Sequence, residues 1–294
     1  MFRLAVALMV AALSSTAFAK PPDGVRWAGS WQIASDEAMD RHVPILVVFV
    51  RQDEAGLALE KSVLTGKEFI AASKKWVTVY CNRDEGQPEK KEGDKSFSTL
   101  TPGITVDQHK AAWKELSARF YKTDDANAPS VVWCNPEGEE FGRLEGAVTS
   151  RDLVAKMGEA VKKLGPGLEA GDYVDAISHL AAADSASQAK KTGEAVREYS
   201  EVLKMQKKPG AGGVVSRAQA GMDRLNNSGR VVMEQANECT AAEDFARAEK
   251  LLKEILDNYR GLPIAKEAEK IYDDVCKKAK AKEKDRIDGG DGKR

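Results

Sequence analysis

Cys81, Cys134, Cys239 and Cys276 are the residues of this 294-residue chain that could carry out redox chemistry. Thiol–disulfide exchange needs a thiolate, which a helix N-terminus can stabilise by lowering the thiol pKa, and a second thiol that resolves the mixed disulfide. No two of the four cysteines stand close together in the sequence, and four cysteines allow three pairings that the sequence cannot separate. The chain therefore has thiols but no recognisable dithiol motif.

The histidines and the common catalytic motifs indicate no further site. His42, His109 and His179 are isolated, and none has another histidine or a cysteine at metal-ligand spacing, so we expect surface histidines and no metal site. The sequence also lacks a glycine-rich phosphate loop, a G-x-S-x-G motif and an H-E-x-x-H motif. We therefore predict no cofactor.

The segment from Pro44 to Leu64 predicts a buried strand, a turn and a helix. Residues 45–50, ILVVFV, are an unbroken apolar run rich in β-branched side chains, which is typical of a strand buried on both faces. Polar residues follow at 51–54, and apolar residues then recur at helical spacing. We expect the rest of the N-terminal half to assemble around this strand.

This strand-to-helix junction resembles the thioredoxin superfamily, in particular its secreted members, in which a strand leads through a C-x-x-C turn into a leucine-glutamate-lysine helix. Alignment of residues 59–64, LEKSVL, with that helix places the two redox cysteines at Asp53 and Gly56. Asp53, Glu54, Ala55 and Gly56 thus form a degenerate redox turn without a thiol. An acidic residue at a helix start has a structural role, because it caps exposed amides and interacts favourably with the helix dipole.

The order of the predicted elements extends the resemblance over roughly residues 27–164. After the central helix, the pattern predicts a strand at residues 76–81 and a charged surface insertion at residues 82–103. A helix then begins at residue 105, a β-hairpin follows and ends at residue 146, and an amphipathic helix covers residues 150–164. This is the thioredoxin order, a central mixed sheet with flanking helices. The fold class that we predict for residues 20–164 is therefore α/β and thioredoxin-like.

Ala128, Pro129 and Ser130 fall where the thioredoxin family has its cis-proline loop, directly before a core strand. The resemblance implies that this loop lies beside the redox turn and can offer backbone groups to an extended peptide.

The same strand order places the central strand between Cys81 and Cys134, so that their α-carbons would lie about 9 to 10 Å apart, beyond disulfide reach. Buried single cysteines usually act as small apolar core residues. Cys81 and Cys134 are nevertheless the alternative thiols for an enzyme that uses a displaced cysteine. Cys239 and Cys276 fall in neighbouring predicted helices, where a disulfide could join them.

Beyond Gly165-Pro166-Gly167, which marks a boundary, the sequence predicts helices and no strand. Residues 243–263 resemble a tetratricopeptide unit, in which small residues let two helices pack closely. The helix starts are unevenly spaced, so we predict an all-α, helical-repeat-like domain over residues 165–276 and not a regular array. The charged residues 277–294 predict a disordered tail.

Residues 1–19 predict a signal peptide: Arg3 precedes a short apolar run, and Ala17 and Ala19 fit a signal-peptidase site. The run is shorter than the roughly 20 residues of a membrane-spanning helix, so we expect no stable membrane insertion after cleavage. Cleavage removes one arginine and no acid, which changes the net charge from −1 to −2 and argues against nucleic-acid binding. We expect a periplasmic or extracellular protein.

The sequence thus favours an exported, non-catalytic protein that binds a protein or peptide partner or acts as a scaffold in the cell envelope. The alternative is a thiol oxidoreductase or peroxide-reactive enzyme that uses Cys81 or Cys134, which would require an exposed and acidic thiol. A third hypothesis is a cell-envelope stress protein in which the N-terminal domain only stabilises the helical domain.

Overall fold

A computed structural model describes residues 24–84, 87 and 89–290, with the side chains of residues 283 and 285–290 left out. The predicted signal peptide lies outside the described residues. No helix among the described residues is long and apolar enough to span a membrane.

The N-terminal half contains a five-stranded mixed sheet in the order β1-β3-β2-β6-β7. Strands β1, β3 and β2 are parallel, β6 runs antiparallel to β2, and β7 runs antiparallel to β6. The strands are β1 (Trp27–Ala28), β2 (Ile45–Val50), β3 (Val77–Asn82), β6 (Ser130–Cys134) and β7 (Glu140–Glu145). Every residue of β2 is buried, as its unbroken apolar run predicted.

Helices cover both faces of the sheet because the side chains of β2 alternate between two cores. Ile45, Val47 and Phe49 belong to the core beneath α1 and α4, and Leu46, Val48 and Val50 belong to the core beneath α2, α3 and α5. These helices are α1 (Trp31–Arg41), α2 (Glu54–Leu59), α3 (Lys67–Ser73), α4 (Val106–Tyr121) and α5 (Ser150–Leu164). A π-helical turn, Glu60–Leu64, continues α2. The predicted mixed sheet with flanking helices is confirmed.

The insertion predicted at residues 82–103 contains a small hairpin that the sequence pattern did not reveal. Strands β4 (Glu89–Glu92) and β5 (Lys95–Ser98) pair antiparallel across a two-residue turn at Gly93, which has φ +62°. The strand β4 is exposed throughout, so it needs no alternation of apolar residues. Glycine permits the positive φ that such a tight hairpin turn requires.

The C-terminal half is helical, as predicted. It consists of α6 (Ala170–Gln188), α7 (Thr192–Leu203), a 3₁₀ turn (Lys204–Lys207), α8 (Gly212–Ala241), α9 (Phe245–Asn258) and α10 (Pro263–Gly290). Their buried faces form one continuous core from Leu168 to Val275. The helices differ in length from 12 to 30 residues, so they do not form a regular array.

Helix α10 continues to Gly290, into residues 277–294, for which a disordered tail is predicted. Lysine, alanine and glutamate are strong helix formers, and the sequence has no glycine between Leu262 and Gly289. Lys282 also ties this stretch to the turn before α9: its Nζ donates to the carbonyl oxygen of Glu243 at 2.9 Å and lies over the ring of Phe245.

Arg41, at the end of α1, joins the two halves and is fully buried. Its Nε donates to the carbonyl oxygen of Leu168 at 2.9 Å, and the amide of Leu168 donates to the carbonyl oxygen of Arg41 at 2.8 Å. Its two Nη atoms donate to the carbonyl oxygens of Trp76 and Lys74 and to the carboxylate of Glu37. The guanidinium group therefore fastens the first residues after the predicted boundary to the sheet domain.

Glycines allow the backbone to approach this joint closely. A Cβ on Gly210, which has φ +69°, would lie 2.3 Å from the carbonyl oxygen of Arg41, and one on Gly213 would lie 2.6 Å from the Cα of Asp40. The segment at residues 210–213 therefore packs on the C-terminal end of α1.

Candidate functional site

The degenerate turn and the proline loop meet at one end of the sheet. Phe49 pairs with Ser130 across β2 and β6, so Pro129 lies beside the end of β2, where the turn begins. The peptide bond between Ala128 and Pro129 is cis. The amide of Gly146 donates to the carbonyl oxygen of Pro129 at 2.9 Å, which ties the loop after β7 to the proline loop.

Asp53 caps helix α2. Its Oδ1 accepts a hydrogen bond from the amide of Gly56 at 2.8 Å, and its carbonyl oxygen accepts from the amide of Leu57 at 2.9 Å. A side-chain oxygen at this position satisfies an amide that has no partner within the helix. In this structure Asp53 thus has the role of a helix cap.

Gly56 lies against the backbone of the turn. An ideal Cβ at this residue would be 2.0 Å from the carbonyl oxygen of Arg51 and 3.0 Å from Cγ1 of Val50. A backbone oxygen cannot rotate out of the way, so a cysteine at position 56 would require the turn itself to shift. The turn therefore has no space for a side chain at position 56.

A largely apolar groove of about 330 Å³ runs beside this turn. One wall is formed by α2 and the π-helical turn, and the other by the loop between β7 and α5. It is lined by Ala55, Ala58, Leu59, Ser62, Val63, Ala147, Val148, Thr149 and Ser150. The wall formed by the loop between β7 and α5 continues into the proline loop, because the amide of Gly146 is hydrogen-bonded to Pro129.

Cys81 and Cys134 are both fully buried, and both are free thiols. Burial raises the pKa of the Cys81 thiol well above its usual value and raises that of Cys134 to about 12. They also lie toward opposite ends of the sheet. Cys81 of β3 pairs with Phe49 near the end of β2, whereas Cys134 of β6 pairs with Ile45 at the start of β2. Neither has the exposure or the acidity of a reactive cysteine.

Cys239 and Cys276 are partly exposed free thiols on α8 and α10. The structure therefore contains no disulfide between them.

The expectation of surface histidines is wrong for His109, which is 1% exposed. Its Nδ1 lies 2.9 Å from Oε1 of Gln87, and its Nε2 lies 2.8 Å from the hydroxyl of Thr101. Burial lowers the pKa of His109 to about 4, so the ring is neutral at pH 7. The sequence contained a sign of this burial, since His109 precedes Trp113 by four residues on the buried side of α4.

The described residues contain a second polar cluster, which sequence reasoning missed. Glu60 is 8% exposed and accepts a hydrogen bond from the hydroxyl of Tyr80, which in turn accepts one from Nδ2 of Asn82 at 3.1 Å. Burial raises the pKa of the Glu60 carboxyl. Glu60 precedes Leu64 by four residues, and this spacing on an apolar face was the available signal. No group of three or more histidine, cysteine or acidic residues in the described part of the chain could hold a metal ion.

No protein-family model matches the chain, and no curated protein sequence matches it. Among solved structures, the chain is similar to a protein named DsbH oxidoreductase, with 20% sequence identity and a TM-score of 0.34. That similarity covers 47% of this chain and 85% of the other. No functional conclusion follows from a match at this level.

Proposed function

We propose that this protein is an exported, thioredoxin-like protein without a redox-active dithiol, which binds an extended segment of a protein partner. Residues 20–164 would form the thioredoxin-like domain and residues 165–276 a helical domain that is fixed to it. The observation that carries the proposal is the approach of Gly56 to the carbonyl oxygen of Arg51, which leaves no room for the second thiol of a redox turn.

The groove beside the turn supports binding without catalysis. Its lining is largely apolar, and its second wall leads into the cis-proline loop. Extended peptides bind through main-chain hydrogen bonds and through pockets for their side chains. An apolar side chain of the partner would fill the groove, and its backbone would run along the proline loop. This arrangement needs no thiol.

A thiol enzyme that uses Cys81 or Cys134 is the weaker alternative. Both thiols are buried, and the pKa of each is raised, so neither supplies the accessible thiolate that such chemistry requires. Insulin reduction and peroxide turnover by the mature protein test this point. Turnover that disappears in Cys81→Ser or Cys134→Ser would contradict the proposal.

Peptide binding is tested with an array of immobilised extended peptides and the variant Ala58→Arg, which places a charged side chain in the groove. Ala182→Arg, an exposed position on α6, introduces the same residue away from the groove and is the control. We expect peptides bound by the wild type to be lost by Ala58→Arg and retained by Ala182→Arg. Equal binding by all three proteins would show that the groove is not the binding site.

A further inference from the structure

A separate cavity of about 200 Å³ opens next to Glu60. It lies between the π-helical turn, β3 and the segment that follows β5, so the surface insertion provides one of its walls. Most of the lining residues have polar side chains: Glu60, Lys61, Thr65, Tyr80, Gln87, Ser98, Thr99 and Leu100. A single water needs only roughly 10 to 15 Å³ of such volume, so the cavity has room for a small organic group.

Two buried polar groups of this lining have no hydrogen-bond partner within the described residues. Ser98 is 5% exposed, and its hydroxyl makes no hydrogen bond to a described residue. Oε1 of Glu60 accepts from Tyr80 and, at 3.4 Å, from Nε2 of Gln52, whereas its Oε2 has no partner in the described part of the chain. Both residues line the cavity, so these two acceptors are free to bind a hydrogen-bond donor that enters it.

The neighbouring donors are already used, which defines the kind of ligand. The hydroxyl of Tyr80 donates to Glu60, that of Thr65 donates to the carbonyl oxygen of Lys61, and Nε2 of Gln87 donates to the carbonyl oxygens of Asn82 and Asp84. The free acceptors of the lining are a carboxylate oxygen of Glu60 and the hydroxyl oxygen of Ser98, and Lys61 at the rim is the remaining charged donor. A ligand with N–H donors and a positive charge complements the two acceptors.

From this geometry we propose that the cavity beside Glu60 and Ser98 binds a primary ammonium group. Such a group directs N–H donors to both acceptors and compensates the carboxylate charge. A guanidinium group fits less well, because one carboxylate oxygen is taken by Tyr80 and a bidentate pair cannot form. A divalent metal ion would need more oxygen ligands than this lining supplies.

The charged and titratable groups around Glu60 determine how binding depends on pH. Lys61, on the same helix, is exposed at the rim of the cavity and opposes a second cation, and Tyr80 faces the carboxyl from β3. His109 of α4 meets the edge of the Tyr80 ring with a centroid distance of 4.8 Å and is neutral. Protons compete with the ammonium group for Glu60, so affinity should rise with pH until the carboxyl is ionised.

The test uses the full mature chain and n-propylammonium chloride, with binding followed by calorimetry or NMR. Tetramethylammonium has the same charge but no N–H donor, and it should not bind. Glu60→Gln keeps an acceptor for Tyr80 and should weaken propylammonium binding about tenfold or more, whereas Glu68→Gln, the same change at an exposed position, should not. Ser98→Ala should weaken binding several-fold.

Lys61→Met keeps the proposal testable if Glu60→Gln does not fold, because removal of the opposing charge should strengthen binding. A free amine and the lysine side chain of a partner are the two sources of such a group. Saturation by propylammonium indicates a free amine, and binding only of a lysine-containing peptide indicates a partner. If neither binds, or if binding is equal in the wild type, Glu60→Gln and Ser98→Ala, the proposal is wrong.

Discussion

The carbonyl oxygen of Arg51 occupies the space in which a side chain on Gly56 would begin, 2.0 Å from an ideal Cβ. Helix interiors ordinarily prefer alanine to glycine by about 1 kcal/mol, so Gly56 opposes the local preference of α2. The course of the turn accounts for the glycine. The turn contains no thiol, and its backbone leaves no space for a side chain at position 56.

Gly56→Ala should lower the free energy of unfolding by roughly 1 to 3 kcal/mol, because the new methyl group forces the backbone of the turn to move. Gly158→Ala is the matched control: this glycine lies within α5, and a Cβ there has no atom within 4 Å. That variant should gain roughly 0.5 to 1 kcal/mol. Urea denaturation measures both, and equal effects of the same sign would contradict the steric argument.

The four thiols should react in two classes. Cys239 and Cys276 are partly exposed and should react with a thiol reagent in the native protein, whereas Cys81 and Cys134 should react only after unfolding. The expected stoichiometry is two thiols in buffer and four in denaturant. Single Cys→Ser variants assign each thiol, and rapid native labelling of Cys81 or Cys134 would revive the enzyme hypothesis.

The elements that the sequence predicted best are those with a strong local pattern. Residues 45–50 form the buried central strand because an unbroken β-branched run has few alternatives. The helix predicted from residue 105 forms as α4 and begins with a capping box between Thr105 and Gln108. Patterns of this kind depend on neighbours in the sequence, so a single chain is enough to detect them.

The features that the sequence did not predict depend on residues far apart in the chain. The exclusion of a side chain at Gly56 depends on the course of the backbone at Arg51. A glycine in a helical segment does not by itself indicate that a side chain would clash there. The partners of His109 lie 8 and 22 residues away in an insertion without apolar periodicity. The burial of Arg41 depends on a carbonyl group 127 residues away. Local patterns contain none of these relations.

Arg41→Met should separate the unfolding of the two halves of the chain. The variant keeps most of the apolar stem but removes the donors to three backbone carbonyl groups and to buried Glu37, so we expect a loss of about 3 to 5 kcal/mol. Arg217→Met is the control, because the Arg217–Asp40 ion pair at the same joint is exposed and should contribute about 1 kcal/mol or less.

Two spectroscopic probes report on the two halves separately. All five tryptophans precede residue 165: Trp27, Trp31, Trp76, Trp113 and Trp133. The C-terminal half is helical and contributes strongly to far-ultraviolet circular dichroism. Tryptophan fluorescence and circular dichroism should give coincident transitions in the wild type and in Arg217→Met. In Arg41→Met the two transitions should separate, and coincidence there would show that other contacts couple the halves.

His109 should make the protein less stable as the pH falls from about 6.5 to about 4. Burial lowers the pKa of the folded histidine from 6.5 to about 4, so in this window the unfolded chain binds the additional proton. The full shift corresponds to about 3 kcal/mol of stability, which is present above pH 6.5 and lost as the pH falls toward 4. Gln87 and Thr101 hold the neutral ring at both nitrogens.

Titration of Glu60 changes the free energy of unfolding with pH in the direction opposite to that of His109. The effect of His109 must therefore be measured as the difference between the wild type and a His109 variant. Burial raises the pKa of the Glu60 carboxyl, and its contribution is present below the unfolded pKa and lost as the pH rises through the folded value. Urea denaturation of the wild type and of His109→Gln at several pH values between 4 and 7 separates the two. The difference in unfolding free energy between the wild type and His109→Gln should decrease by about 3 kcal/mol as the pH falls to 4. Parallel plots of unfolding free energy against pH for the two proteins would show that His109 does not titrate in this range.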